Sequence, residues 1–235
     1  MQLNLKKTKD EISVLILCGG AGQRLRPLTK TIPKPLIKIK NKSILEYIIN
    51  HFFKYKINNI IIASGYRHIL IKKFINKKYK NKNIKVINTG VNTEIIDRIK
   101  KISPSLNKKI ILCYGDTLVD INLNKLINYF GKYKDKFIIS SYELKSTFGI
   151  LDLKSNNDVK KFNEKPKLGM WFNVGYFIFS KKIISKIKNF KKFEYFLSNL
   201  AKNNNMKTFK HKGKHITVNT ISELEEAKNQ INKFA

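Results

Sequence analysis

The sequence predicts an α/β fold built on a doubly wound, mainly parallel sheet, and three observations carry that reading. Short apolar runs alternate along the chain with stretches of helical periodicity. The runs are continuous rather than alternating, as strands covered on both faces require. The first of them, Val14 to Leu17, stops at Cys18 and passes straight into Gly19, Gly20 and Gly22. Ligands in such sheets lie beyond the carboxyl ends of the strands, which is where this glycine loop falls.

The opening loop is the most informative stretch. It reads Gly19-Gly20-Ala21-Gly22-Gln23-Arg24-Leu25-Arg26-Pro27-Leu28-Thr29, followed by Pro33-Lys34-Pro35-Leu36. Glycine lets main-chain N–H groups approach a phosphate because no Cβ intervenes. Arg24, Arg26, Arg67 and Arg98 are the only arginines in a lysine-rich chain, and the first two lie in this loop. A planar guanidinium grips phosphate oxygens in a way an ammonium cannot. The loop is not a P-loop, since no Gly-Lys-Ser/Thr follows at the required spacing. It is also a poor dinucleotide fingerprint: Leu25 takes the place of the third glycine, and the next strand ends Ala63-Ser64-Gly65 without an acid for a ribose. A plain tight turn remains as the bland reading, and the arginines beside the glycines weigh against it.

Downstream, Ser43 to Lys54 places Ile44, Leu45, Ile48, Ile49 and Phe52 at helical spacing, with Ser43 as N-cap and Glu46 completing a capping box. Ile57 to Ala63 reads as a second buried strand, His68 to Tyr79 as an amphipathic helix and Ile84 to Ile87 as a third strand. Asn88 to Lys101 is a loop running into a helix. Lys109 to Tyr114 is the next buried strand and ends in Gly115-Asp116. A hard carboxylate there, facing the same crevice as the opening loop, suits Mg²⁺, which takes one or two carboxylates plus substrate phosphates. The competing reading is a cap for the helix starting near Asn122, a role that Asp120 fits better. Phe137 to Tyr142, Phe148 to Leu153 and Asp158 to Phe162 look like strands. Glu164-Lys165-Pro166 means little alone, because a lysine in this chain is by default a solvated one. Trp171 and Tyr176 read as core packing. His51, His68, His211 and His215 have no metal or dyad spacing, and none takes a catalytic role. His215 to Leu224 is a strand followed by a capped helix, with Asn219 at the junction.

At 235 residues with 42% hydrophobic composition, the chain is expected to form one domain, 1–235, with 1–10 as a flexible extension. The N-terminus lacks a signal-peptide apolar region and no run reaches membrane-spanning length, so a cytoplasmic protein without membrane insertion is expected. Cys18 and Cys113, in apolar runs without metal spacing, are expected to be reduced and buried. A net charge of +32 attracts polyanions in general. Its lysines are spread evenly, whereas a dedicated nucleic-acid binder concentrates Arg and aromatics, so no specific nucleic-acid partner is expected.

The motifs together resemble the sugar-1-phosphate nucleotidyltransferases, whose pattern G-G-x-G-x-R-L-x-P-L-T and downstream P-K-P is reproduced at 19–29 and 33–35. Within that family, Val86 to Lys101 is similar to the glucose-1-phosphate cytidylyltransferase segment V-D-T-G, then T-x-T-G-G-R-L-K-R, with Ile95-Ile96-Asp97 standing where the pattern has Thr-Gly-Gly. The resemblance implies a Rossmann-like mixed sheet of the nucleotide-diphospho-sugar transferase type. It implies transfer of a nucleotidyl group from a nucleoside triphosphate to a sugar-1-phosphate, with CDP-glucose the expected product. A guanylyl-, uridylyl- or thymidylyltransferase is the alternative, as is a catalytically weakened binding relative.

By resemblance, Leu17, Gly19, Gly20, Gly22, Gln23, Arg24, Lys34, Thr93, Arg98 and Asp116 hold the nucleotide, and Arg24, Lys34, Asp116 and Lys165 carry catalysis. Gly149, in the motif F-G-x-L-D, and Glu164, Lys165 and Asn173, in E-K-P and N-x-G-x-x-x-F, face the sugar phosphate. Mg²⁺ falls on Asp116 and on Asn219, where the cytidylyltransferase pattern W-x-x-M-D-T has an aspartate. An amide there brings no negative charge and would hold the metal more weakly. The resemblance leaves a homo-oligomer open.

Overall fold

The computed structural model describes residues 9–233. The expected extension, 1–10, lies mostly outside the described residues. The glycine loop follows β1 (Ile12–Cys18), and a hairpin of β2 (Lys38–Ile39) and β3 (Lys42–Ser43) leads into α1 (Ile44–Lys54). Next come β4 (Ile60–Ser64), α2 (His68–Lys78), β5 (Ile84–Asn88) and α3 (Ile95–Ile102). The chain then forms β6 (Lys109–Tyr114), β7 (Thr117–Val119), α4 (Leu123–Lys132) and β8 (Phe137–Lys145). An outlying hairpin of β9 (Ile150–Leu153) and β10 (Val159–Asn163) precedes the long β11 (Lys167–Ser180). The chain closes with α5 (Ile183–Ile187), α6 (Phe193–Lys202), β12 (Met206–His211), β13 (His215–Thr217) and α7 (Ile221–Gln230).

The central sheet has seven strands in the order β12-β8-β11-β6-β1-β4-β5. β1 lies parallel between β4 and β6, and β4 pairs parallel with β5. β11 runs antiparallel between β6 and β8, so the sheet is mixed, as expected. Both faces are covered: Val14, Ile16 and Cys18 point into a core with α1, α2 and α4, while Leu15 points into the opposite core with α3 and α6. That division is why β1 reads as an unbroken apolar run.

Three local expectations are corrected. Ser43 caps α1, its side chain accepting from the Glu46 N–H, but the Glu46 carboxylate is taken by Lys78 at 2.6 Å, so the capping box is half formed. Asn122 caps α4; the Asp120 carboxylate instead accepts from the Lys214 N–H at 2.6 Å and pairs with His211 at 3.1 Å. Tyr176 is core, but Trp171 is half-buried with the Lys210 ammonium 4.5 Å above its ring. Cys18 and Cys113 are free and buried, and burial raises both thiol pKa values. Among the described residues no helix is long and apolar enough to cross a membrane.

Candidate active site

The end of β1 opens the site because the glycines leave it uncovered. A Cβ on Gly20 would meet nothing within 4 Å, so the backbone there faces open space. Gly22 sits at φ 62° in the left-handed region, starting a short 3₁₀ turn that presents Arg24. A Cβ on it would press on Lys34 Cβ at 3.0 Å, so the loop is seated on the lysine. Thr29 Oγ1 donates to the Gly22 carbonyl at 2.9 Å and closes the loop.

Lys34 is 7% exposed. Its Nζ donates to Asp116 Oδ2 at 2.7 Å and to Asn219 Oδ1 at 2.9 Å, and Arg24 Nη2 donates to the same Asn219 oxygen at 3.1 Å. Four side chains from three distant parts of the chain thus meet around one ammonium. Asp116 reaches this point because Gly115 turns tightly against β1: its N–H donates to the Leu17 carbonyl at 2.9 Å, and a Cβ would strike Cys18 Sγ at 2.5 Å. Asn219 reaches it through the antiparallel ladder of β7 and β13, which pairs Thr117 with Thr217 and Val119 with His215. Helix α7 is capped by Thr220 rather than Asn219, which leaves the Asn219 carbonyl for the two cations.

These groups border a cavity of about 760 Å³, lined on the loop side by Leu17, Gly19, Gly20, Gly22, Gln23 and Arg24 and on the other by segment 91–95, Arg98 and Tyr114. Its size is that of a small-molecule site. Thr93 is in the wall, its hydroxyl donating to the Thr89 carbonyl at 2.8 Å. Tyr114, Asn92 and Glu94 also line the cavity and were not singled out by the sequence. The position of Tyr114 at the last residue of a buried strand was the available signal. Burial pushes the Tyr114 phenol up to about 12.

The residues expected at the sugar phosphate are not brought into this cavity. Gly149, Glu164 and Lys165 flank the outlying β9–β10 hairpin, close to one another: a Cβ on Gly149 would meet Glu164 Oε2 at 3.2 Å, and Lys165 Nζ stands 3.7 Å from Glu164 Oε1. Asn173, on β11, is nearer: its side chain accepts from the Gly175 N–H at 2.8 Å, and Gly175 lies directly against the Tyr114 ring of the cavity wall. Among the described residues no group of three or more His, Cys, Asp and Glu is placed to hold a metal. Asp116 and Asn219 nonetheless turn two hard oxygens toward one cation, the Lys34 ammonium. That donor set fits Mg²⁺ of the kind that completes its shell with water and phosphate oxygens.

Comparison with known proteins gives the family of the chain. The family profile described as nucleotidyl transferase matches residues 13–223. A probable glucose-1-phosphate cytidylyltransferase of Bacillus subtilis is 28% identical, over 94% of this chain and 97% of its own length. A D-glycero-alpha-D-manno-heptose 1-phosphate guanylyltransferase of Campylobacter jejuni is also 28% identical, over 78% of this chain and 83% of its own. The crystal structure of HddC from Yersinia pseudotuberculosis complexed with GMP-PN superposes with a TM-score of 0.71 at 26% identity, covering 93% of this chain and 99% of that one.

Proposed function

The chain belongs to the nucleotidyl transferase family, and on that premise we propose that it joins a nucleoside triphosphate to a sugar-1-phosphate, with CTP and glucose-1-phosphate as substrates and CDP-glucose and pyrophosphate as products. The observation that carries this reading is the meeting of Arg24, Lys34, Asp116 and Asn219 beside the open backbone at Gly20. A phosphate oxygen of the sugar-1-phosphate attacks the α-phosphorus of the triphosphate, the bond to the β-phosphate oxygen breaks, and pyrophosphate leaves with that electron pair. The nucleophile is already ionised at neutral pH, so no general base is needed.

The task of the protein is to bring two polyanions together and align them. Backbone amides of the glycine loop, with Arg24 and Lys34, hold the triphosphate and offset charge as it shifts toward the leaving group. Asp116 and Asn219 would hold Mg²⁺, which supplies positive charge between the phosphates when bound. Lys165, with Glu164, Gly149 and Asn173, would take the sugar phosphate.

Pyrophosphate release, measured with CTP, UTP, dTTP, GTP and ATP against several sugar-1-phosphates, tests the reading. Turnover with CTP and glucose-1-phosphate is the expected result. Release only with GTP favours a guanylyltransferase, the reading that the Campylobacter relative and the GMP-PN complex support. Nucleotide binding without release from any pair assigns the chain to a binding relative weakened by Asn219.

A further inference from the structure

Arg98 is 5% exposed and lies in the cavity wall, yet its donors are turned into the protein. Nε donates to the Thr93 carbonyl at 3.1 Å, and Nη2 to the Val91 carbonyl at 3.0 Å. Nη1 donates to the Gly90 carbonyl at 2.8 Å, to Thr89 Oγ1, and more distantly to the Ser64 carbonyl at 3.4 Å. Backbone carbonyls thus take most of the donors of this buried charge, and burial lowers its pKa. The guanidinium also lies flat against the first strand end: a Cβ on Gly19 would fall inside it. Gly65 makes the neighbouring space, because a Cβ there would collide with the carbonyl oxygens of Gly90 and Gly19. The ends of β1, β4 and β5 therefore abut through glycines, with one side chain pinning all three.

We propose that Arg98 is a positioning residue that fixes segment 89–93 as the wall selecting the nucleobase, rather than a ligand of the triphosphate. The inference rests on the nucleotidyl-transfer reading of the cavity. The phosphate-seeking cations, Arg24 and Lys34, share the Asn219 oxygen, Lys34 also holding Asp116, whereas the hydrogen bonds of Arg98 go to segment 89–93 and Ser64. The wall it holds offers what a heterocycle needs: apolar Val91 and Ile95, and hydrogen-bonding Asn92, Thr93 and Glu94. A loop carrying such groups discriminates between bases only if its carbonyls and side chains stand still, since a mobile wall adapts to any base.

The probes that separate wall from phosphate ligand are CTP, UTP and GTP on one side and inorganic tripolyphosphate, which has no base, on the other. Binding is measured by titration calorimetry with Mg²⁺ present for the wild type, Arg98→Met and Thr89→Val. Arg98→Met should weaken the preferred nucleotide by about tenfold or more, the effect of losing hydrogen bonds to a charged group. It should also compress the differences between bases, while tripolyphosphate affinity stays within about twofold, as for an uncoupled site. Amides of 89–94 should exchange hydrogen faster in the free variant. Thr89→Val removes one acceptor of Arg98, together with the hydroxyl's own donation to the Ser64 carbonyl at 2.7 Å, at nearly constant volume, so it should shift discrimination in the same direction by less, and it decides the matter if Arg98→Met fails to fold. Equal losses for tripolyphosphate and nucleotide would make Arg98 a phosphate ligand and overturn the proposal, as would unchanged discrimination in a folded variant. A wild type that binds tripolyphosphate but no nucleotide refutes the function itself rather than the role of Arg98.

Discussion

Lys34 is the side chain on which the charges of the cavity meet, and its burial makes it more than a surface cation. Its ammonium is held by Asp116 and Asn219 at 2.7 and 2.9 Å, so it is fixed before any substrate arrives. Replacing a preoriented charge by a neutral chain of similar bulk removes transition-state stabilisation without emptying the site. Lys34→Met should therefore lower kcat by about 10²–10³, with a far smaller change in melting temperature; single-turnover kinetics beside calorimetry checks it, and a fall in stability alone would make Lys34 a structural strut. Asn219→Asp places a full carboxylate where a neutral oxygen now faces two cations. The Mg²⁺ concentration that half-saturates nucleotide binding should drop by about tenfold or more, in line with one added charge at this distance. An unchanged midpoint would remove Asn219 from the metal. At this scale the motif loop was legible, because Arg24 and Lys34 stand beside residues whose chemistry is local. The bracing by Arg98 was not, since its acceptors at Ser64, Thr89 and Gly90 belong to two other strand ends that only the fold brings together.

Among the elements, α1 joins the stability of the sheet to the seam behind the site. Its N-cap is a single bond, Ser43 Oγ accepting from the Glu46 N–H at 3.2 Å, without the reciprocal half of the box. Ser43→Ala should lower unfolding free energy by about 1 kcal/mol, read as a shifted urea midpoint at constant m with turnover retained. At its other end His51 donates from Nε2 to the Ile121 carbonyl at 2.9 Å, beyond β7. Burial pushes His51, and His215 on β13, down to about 4. Both are neutral in the folded chain near neutral pH, whereas the unfolded chain takes up protons near the ordinary imidazole value of about 6.5. The unfolded state thus binds more protons between those limits, so stability is full above the upper one and falls as pH drops toward the lower. Melting temperature should decline across that window, and His51→Gln, which can still donate to Ile121, should flatten part of the decline; parallel curves would locate the proton uptake elsewhere. Buried strands were legible because both faces are covered. Glu46 was misread because its partner, Lys78, lies at the end of α2, far along the chain.

At the scale of the whole molecule, the buried parallel strands were readable but strand order was not. The 14-residue β11 was not legible as a strand, only Trp171 and Tyr176 in it reading as core, and nothing local says that it enters between β6 and β8 and makes the sheet mixed. Charge, by contrast, is a global property that the sequence states outright, and it acts on stability and binding with opposite signs. A net charge of +32 repels itself in the compact state, and that repulsion weakens as salt shortens the Debye length from about 10 Å at 0.1 M to about 3 Å at 1 M. The same screening reduces the attraction of a polyanionic nucleotide for the loop. Raising NaCl across that range should therefore raise the melting temperature while weakening nucleotide affinity. Because Lys34 and Asp116 are partly withdrawn from solvent, with side chains 9% and 37% exposed, the contacts at the cavity are screened less than the outer lysines. The salt dependence of affinity should accordingly be shallower than that of the association rate, which senses the whole field. Stopped-flow and calorimetric titrations on the same samples measure both slopes. An equilibrium slope as steep as the kinetic one would mean that the diffuse surface charge, and not the fixed cluster around Lys34, holds the nucleotide.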